Sequence, residues 1–143
     1  MSKGNTFEND LLKLIFNATA IANLADNAAT APLTNLYVSL HTADPGEAGD
    51  QTTSETAYTG YARVAVARSS GGWTVTNNSV SPVANIDFGE CTASPGSAIT
   101  HFGIGTASSG AGKLLYSGTV SPNITMAVGV IPRLKTTSTI TED

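Results

Sequence analysis

Hydrophobic positions change their spacing once along the chain, near Pro32. Before it, Leu11, Leu12, Ile15 and Phe16 fall at i, i+1, i+4 and i+5 and share one face of a helix. Ile21 and Leu24 extend that stripe beyond a break near Asn17. Asn5 followed three residues later by Glu8 resembles a capping box, and Glu8 and Asp10 lie in the first turn, where the helix dipole favours acids. Pro32 ends the segment. A helix this short does not hold together alone in water, so its apolar face must lie on the rest of the chain or on a partner.

From Leu33 onward the period is two. Leu36, Val38 and Leu40 alternate with Tyr37, Ser39 and His41, the pattern of a half-buried strand. Further strands are predicted at Tyr61–Ala67, Trp73–Thr76, Ala84–Phe88, Ile99–Gly105, Lys113–Gly118, Met126–Ile131 and Lys135–Thr141. The turn Ser69-Ser70-Gly71-Gly72 predicts a hairpin joining the second and third of these. About eight short strands with turn signals between them, and no alternation with helices, predict a mainly β fold: an antiparallel β-sandwich or jelly roll with an N-terminal α-helix. The expected division is a helical segment over residues 1–31 and a β-domain over 32–143. The polar stretch from Thr42 to Gly60, roughly 18 residues, exceeds ordinary loop length and is expected to be functional or mobile.

Composition supports the β reading. Of 143 residues, 13% are charged, against about 25% in average proteins. Ser and Thr fill about a quarter of the chain, and Thr suits a half-buried pleated surface. The net charge of −4 and seven scattered basic residues argue against nucleic acid as a partner. No run reaches the ~18 apolar residues of a membrane span, so no membrane partner is expected. Glu8, Asp10, Lys13 and Asn17 spoil a signal-peptide reading of Leu11–Ile21, so synthesis in the cytoplasm without export is expected.

The chain carries little that points to chemistry. Cys91 is the only cysteine and is expected to be a small buried side chain. There is no G-x-S-x-G elbow, and His41 and His101 fall on separate predicted strands, where a cross-strand pair is conceivable but a structural role is the simpler reading. His41, Asp44, Glu47 and Asp50 recur every three residues, a spacing that could gather ligands around a cation, yet they match no calcium loop and read more simply as a solvated acidic loop. The run Gly103–Lys113 has the look of a phosphate loop but carries Ala107 and Leu114 where Gly and Ser or Thr are needed. No enzyme, no cofactor and no metal is therefore expected. Edge strands with few lysines leave surfaces suited to packing against neighbouring proteins.

Four segments carry a resemblance: Leu36-Tyr-Val-Ser-Leu-His-Thr-Ala-Asp-Pro-Gly46, Thr59-Gly-Tyr-Ala-Arg-Val64, Ile99-Thr-His-Phe-Gly-Ile-Gly105 and Gly112-Lys-Leu-Leu-Tyr-Ser-Gly118. Together they resemble a family of small virion proteins of tailed bacteriophages, whose members go under the names of capsid cement (decoration) proteins and of tail fibre proteins. The cement branch implies a jelly roll on the outer face of the head, bridging subunits of the major capsid protein as a homodimer or homotrimer and stabilising the virion without catalysis. That is the leading expectation, because the chain shows no fibrous repeat. The alternatives are a small tail fibre or tail-associated protein contacting a host receptor, and a carbohydrate-binding module built on the Asp44–Asp50 loop. The expected partner contacts are Leu11, Leu12, Ile15 and Phe16 on the helix and Asp44, Pro45, Glu47 and Asp50 on the loop.

Overall fold

A computed structural model of the chain describes residues 5–21, 25 and 32–142. Leu24 lies outside the described residues. The fold is mainly β, with one N-terminal helix, α1 (Asn5–Asn17), and among the described residues nine strands. These are β1 (Asn35–His41), β2 (Val64–Ala67), β3 (Trp73–Thr76), β4 (Ser79–Pro82), β5 (Ile86–Asp87), β6 (Ile99–Gly105), β7 (Leu114–Ile124), β8 (Arg133–Leu134) and β9 (Ile140–Thr141). They form sheets of four, three and two strands, in the orders β2-β1-β6-β7, β3-β4-β9 and β5-β8.

The chain gathers into two compact units. One comprises Met1–Asn35, Val66–Asn85 and Lys135–Asp143, the other Leu36–Ala65 and Ile86–Leu134. In the first, α1 packs on the β3-β4-β9 sheet. Leu12 and Phe16 are completely buried, and the Phe16 ring meets Trp73 edge to face at 4.8 Å. The helix stops at Asn17. Ala18 takes a left-handed φ of 53°, and the Thr19 N–H reaches back to the Lys13 carbonyl at 3.1 Å. The last turn contains no basic residue, but Arg68 supplies one from elsewhere. Its guanidinium donates to the carbonyls of Leu14 and Ile15, two of the acceptors a helix C-terminus leaves open. Glu8 makes no capping-box bond: among the described residues its carboxylate has no hydrogen-bond partner, and Asn5 is already helical.

The Trp73–Thr76 strand does not pair with the second strand as its turn sequence predicts. It forms a hairpin with β4, a strand that the sequence pattern does not predict, in the register Trp73↔Pro82 through Thr76↔Ser79. The two-residue turn Asn77-Asn78 explains the preference, because Asn77 accepts the left-handed φ of 54° that a tight hairpin needs.

In the second unit, β1 and β6 pair antiparallel with Val38 opposite Ile104, Ser39 opposite Gly103 and His41 opposite His101. The cross-strand histidine pair therefore exists. β7 extends to Ile124, well past the predicted Gly118. The alternation of Met126, Val128 and Val130 does not become a strand. Gly129, with φ of 90°, turns the chain there, and its backbone bonds go to Cys91 instead: Gly129 N–H donates to Cys91 O, and Cys91 N–H to Val130 O. Of the predicted Lys135–Thr141 strand, only Ile140–Thr141 pairs, after a turn closed by Ser138 N–H on Lys135 O. Cys91 is fully buried, as expected.

Candidate functional site

The stretch from Thr42 to Gly60 is fastened along its second half by side chains that strand alternation assigns to solvent. Glu55 accepts from Arg63 Nε at 2.7 Å, from Arg63 Nη2 at 2.8 Å and from the Tyr61 hydroxyl at 2.7 Å. Arg63 goes on to donate to the carbonyls of Ala107 and Gly110, and the Tyr61 oxygen accepts from the Leu40 N–H. The Arg63 side chain is 2% exposed, and its guanidinium is met by both Glu55 oxygens and two backbone carbonyls. Burial, then the bond to Glu55, drives the Tyr61 phenol far above its usual titration range. Tyr58 donates to the Gly89 carbonyl, and burial pushes its phenol up to about 12.

Gln51 is a second anchor. Fully buried, it accepts from Ala107 N–H through Oε1 and sends its backbone N–H to the Gly112 carbonyl. A Cβ on Gly105 or Gly112 would come within 2.1 Å of the Gln51 side chain. The glycines of the run that mimics a phosphate loop thus make room for a carboxamide, and the run joins strand to strand.

His41 is the third anchor. Its Nδ1 lies 2.8 Å from the Thr53 carbonyl and must donate to it, so Nε2 accepts from the Ser39 hydroxyl at 2.8 Å. Ser39 and His41 are both fully buried, and Gly103 opposite has no side chain because a Cβ there would meet both at 2.7 and 2.8 Å. Burial holds the His41 imidazole below its usual pKa. A serine–histidine pair in hydrogen-bond contact has the form of a nucleophile and its base, but a site sealed from solvent admits no substrate.

With its second half tied down, the first half of the loop projects beside β7. Asp44, Gly46, Glu47 and Gly49 face Leu114, Leu115, Tyr116 and Ser117 across a groove of about 380 Å³. Asp44 and Glu47 are exposed, and the Asp44 carboxylate caps its own turn by accepting from Gly46 N–H at 2.9 Å. The groove combines two carboxylates, a half-buried tyrosine and apolar β7 side chains, a lining able to take a polar ligand with an apolar face.

The other expected contact residues fall as follows. Pro45 is buried. Asp50 is half-buried, and its carboxylate is engaged by the backbone N–H and hydroxyl of Thr52. Those two bonds, hydroxyl first, hold its pKa below the ordinary carboxylate value. Leu12 and Phe16 are spent on the core of the first unit, while Leu11 and Ile15 keep part of their surface. His41, Asp44, Glu47 and Asp50 do not converge: among the described residues no three His, Cys, Asp or Glu side chains are grouped to hold a metal ion. The Glu55–Arg63 clasp was missed by the sequence reading. The one signal for it is that Glu55 and Arg63 are the only charged residues between Asp50 and Arg68.

Comparison with known proteins gives one family and no curated relative. No curated protein matches the chain. The family described as "Podophage GP4 fiber I protein gp80" matches residues 2–141. That description names a fibre, which supports the fibre alternative better than capsid cement. With nearly its whole length matched, the chain belongs to this family of phage fibre proteins, as a non-enzymatic structural component of the virion.

Proposed function

We propose that the chain is a compact adaptor or tip module of a tail-associated fibre that contacts a receptor on the host surface, and that the groove between Asp44–Gly49 and Leu114–Ser117 is the contacting face. The observation that carries this is the pairing of a fibre-family match over residues 2–141 with an exposed loop held rigidly at its base by Glu55, Gln51 and His41. A receptor-reading loop needs that combination, because a preordered loop loses little entropy on binding. The lack of sequence repeats favours a module over a long shaft.

The purified protein, added in excess, should slow adsorption of the phage to its host. The double variant Asp44→Ala/Glu47→Ala should lose this competition while keeping its melting temperature. Equal competition by the variant would remove the groove from the account. Labelling that finds the protein only on the head, in hundreds of copies, would instead restore the decoration reading, with the major capsid protein as partner and a homodimer or homotrimer as the bridging form.

A further inference from the structure

β7 lies at the rim of the four-stranded sheet, with β6 on one side and, among the described residues, no strand on the other. None of its 11 residues, Leu114–Ile124, is charged. Edge strands are commonly kept short or given charges, because their outward N–H and C=O groups can pair with any extended chain that comes alongside. In β7 the far end is blunted: the register with β6 shifts past Thr119, and Pro122 follows. The near end, from Leu114 to Thr119, stays paired with β6 and leaves its other edge open to a further strand.

The groove beside the Asp44–Gly49 segment runs along this edge. It is touched by four consecutive residues, Leu114 to Ser117. Neighbouring strand residues point to opposite faces, so a groove reached by both Tyr116 and Ser117 follows the rim and not a face. Among the described residues no backbone hydrogen bond crosses from Asp44–Gly49 to Leu114–Ser117. The bond from Gln51 N–H to Gly112 O joins the two segments just outside the groove. The Asp44–Gly49 wall is thus tethered next to the strand edge without pairing with it.

What fills such a gap must bring main-chain donors and acceptors at the strand repeat, which an extended peptide does and a saccharide or an acyl chain does not. Charge then selects among peptides. Asp44 and Glu47 are exposed in the facing wall, and the chain carries a net −4. A second copy would add its own −4 and the same two acids, which opposes pairing of β7 with itself, whereas a segment bearing Lys or Arg is drawn in.

We propose that the groove receives an extended segment of a host surface protein, which adds a strand to β7 along Leu114–Ser117 and sets a basic side chain against Asp44 or Glu47. This deepens the receptor reading above and rests on it for the partner being a host protein.

The test titrates the isotope-labelled full chain, followed by amide NMR, with the peptide acetyl-Thr-Val-Lys-Val-Lys-Thr-amide, whose lysines share one face. The backbone amides of Gly46–Gly49 and Leu114–Ser117 should shift saturably. The same peptide N-methylated at its four central residues keeps its charge and side chains but loses main-chain donors, and it should bind at least tenfold more weakly. Glutamate in place of both lysines should also cost about tenfold, a preference that Asp44→Asn/Glu47→Gln should narrow to about twofold. Fluorescently labelled full chain should bind host cells, lose that binding after protease treatment of the cells and keep it after periodate, which destroys sugar diols. The proposal is overturned if the peptide leaves these amides unmoved, if the N-methylated form binds as tightly, or if protease-treated cells bind as before. It is overturned equally if dilution of the chain alone shifts the Leu114–Ser117 amides, the sign of a second copy on the edge. Its failure is distinguishable from that of the receptor reading. Loss of adsorption competition by Asp44→Ala/Glu47→Ala, with no response to the peptide, keeps the groove as receptor contact and sinks strand addition. Equal competition by that variant sinks the receptor reading, and with it the host partner, whatever the peptide does.

Discussion

His41 shows what a single buried side chain imposes on the molecule. The fold favours its neutral form, because the ring is buried away from the water that would solvate a charge. Burial lowers its pKa and outweighs Thr53 and Glu55, which pull upward, while Arg63 and His101 add to the lowering. The folded chain thus binds fewer protons than the unfolded chain once pH falls below about 6.5. The stability this contributes is complete above that value and is lost as pH falls through the folded pKa. Melting temperature is therefore expected to drop between about pH 7 and pH 5, and His41→Gln should flatten the slope. An unchanged slope would assign the acid sensitivity to other groups. Gly103 bears on the same pair. Gly103→Ala forces a Cβ against Ser39 and His41 and should cost about 1–3 kcal/mol in chemical denaturation. Gly71→Ala, whose Cβ would meet nothing closer than 3.5 Å, is the near-neutral control. The inward set Leu36, Val38 and Leu40 was legible from period two. The burial of Ser39 and His41 was not, because alternation reads one covered face and β1 is covered on both from Val38 to His41.

At the scale of elements, two attachments decide the structure, and both run through side chains distant in sequence. One is the clasp of Glu55 on Arg63. Glu55→Gln would strip a buried guanidinium of its counterion, so a loss of about 3 kcal/mol is expected, with faster hydrogen exchange across residues 42–60. A loop that exchanges no faster would show that Gln51 and His41 suffice to hold it. The other attachment is α1 on β3. Leu12→Ala and Phe16→Ala should cost about 2–5 kcal/mol each, whereas the exposed Phe7→Ser should change stability little. The helix itself was readable from its apolar stripe. That stripe continues to Ile21 and Leu24 past a break near Asn17, so the pattern alone runs the helical segment on towards Pro32, while the helix stops at Asn17. Its seat was not readable, because period and propensity say which face is apolar and not what covers it. The same limit explains β3, whose true partner was settled by the turn chemistry of Asn77 rather than by the nearer glycines.

At the scale of the whole molecule, the chain passes between its two units four times, at residues 35–36, 65–66, 85–86 and 134–135. Neither unit is a continuous stretch, so a terminal truncation does not excise a domain. Deleting residues 1–31 removes the side chains that cover Trp73, the only tryptophan. Its fluorescence should shift to the red and the deletion variant should unfold at lower denaturant, whereas an unmoved emission maximum would mean that other residues shield the indole. The mainly β class and the non-enzymatic role were legible in composition and in failed motifs. The fibre assignment rests on the family match. The anchored loop has one more consequence. Glu55, Gln51 and His41 hold its base, while Glu47 and Ala48 are exposed and hydrogen-bond to none of those three anchors. Sequence can therefore change, or a short peptide be spliced in, at that tip without touching what keeps the fold together.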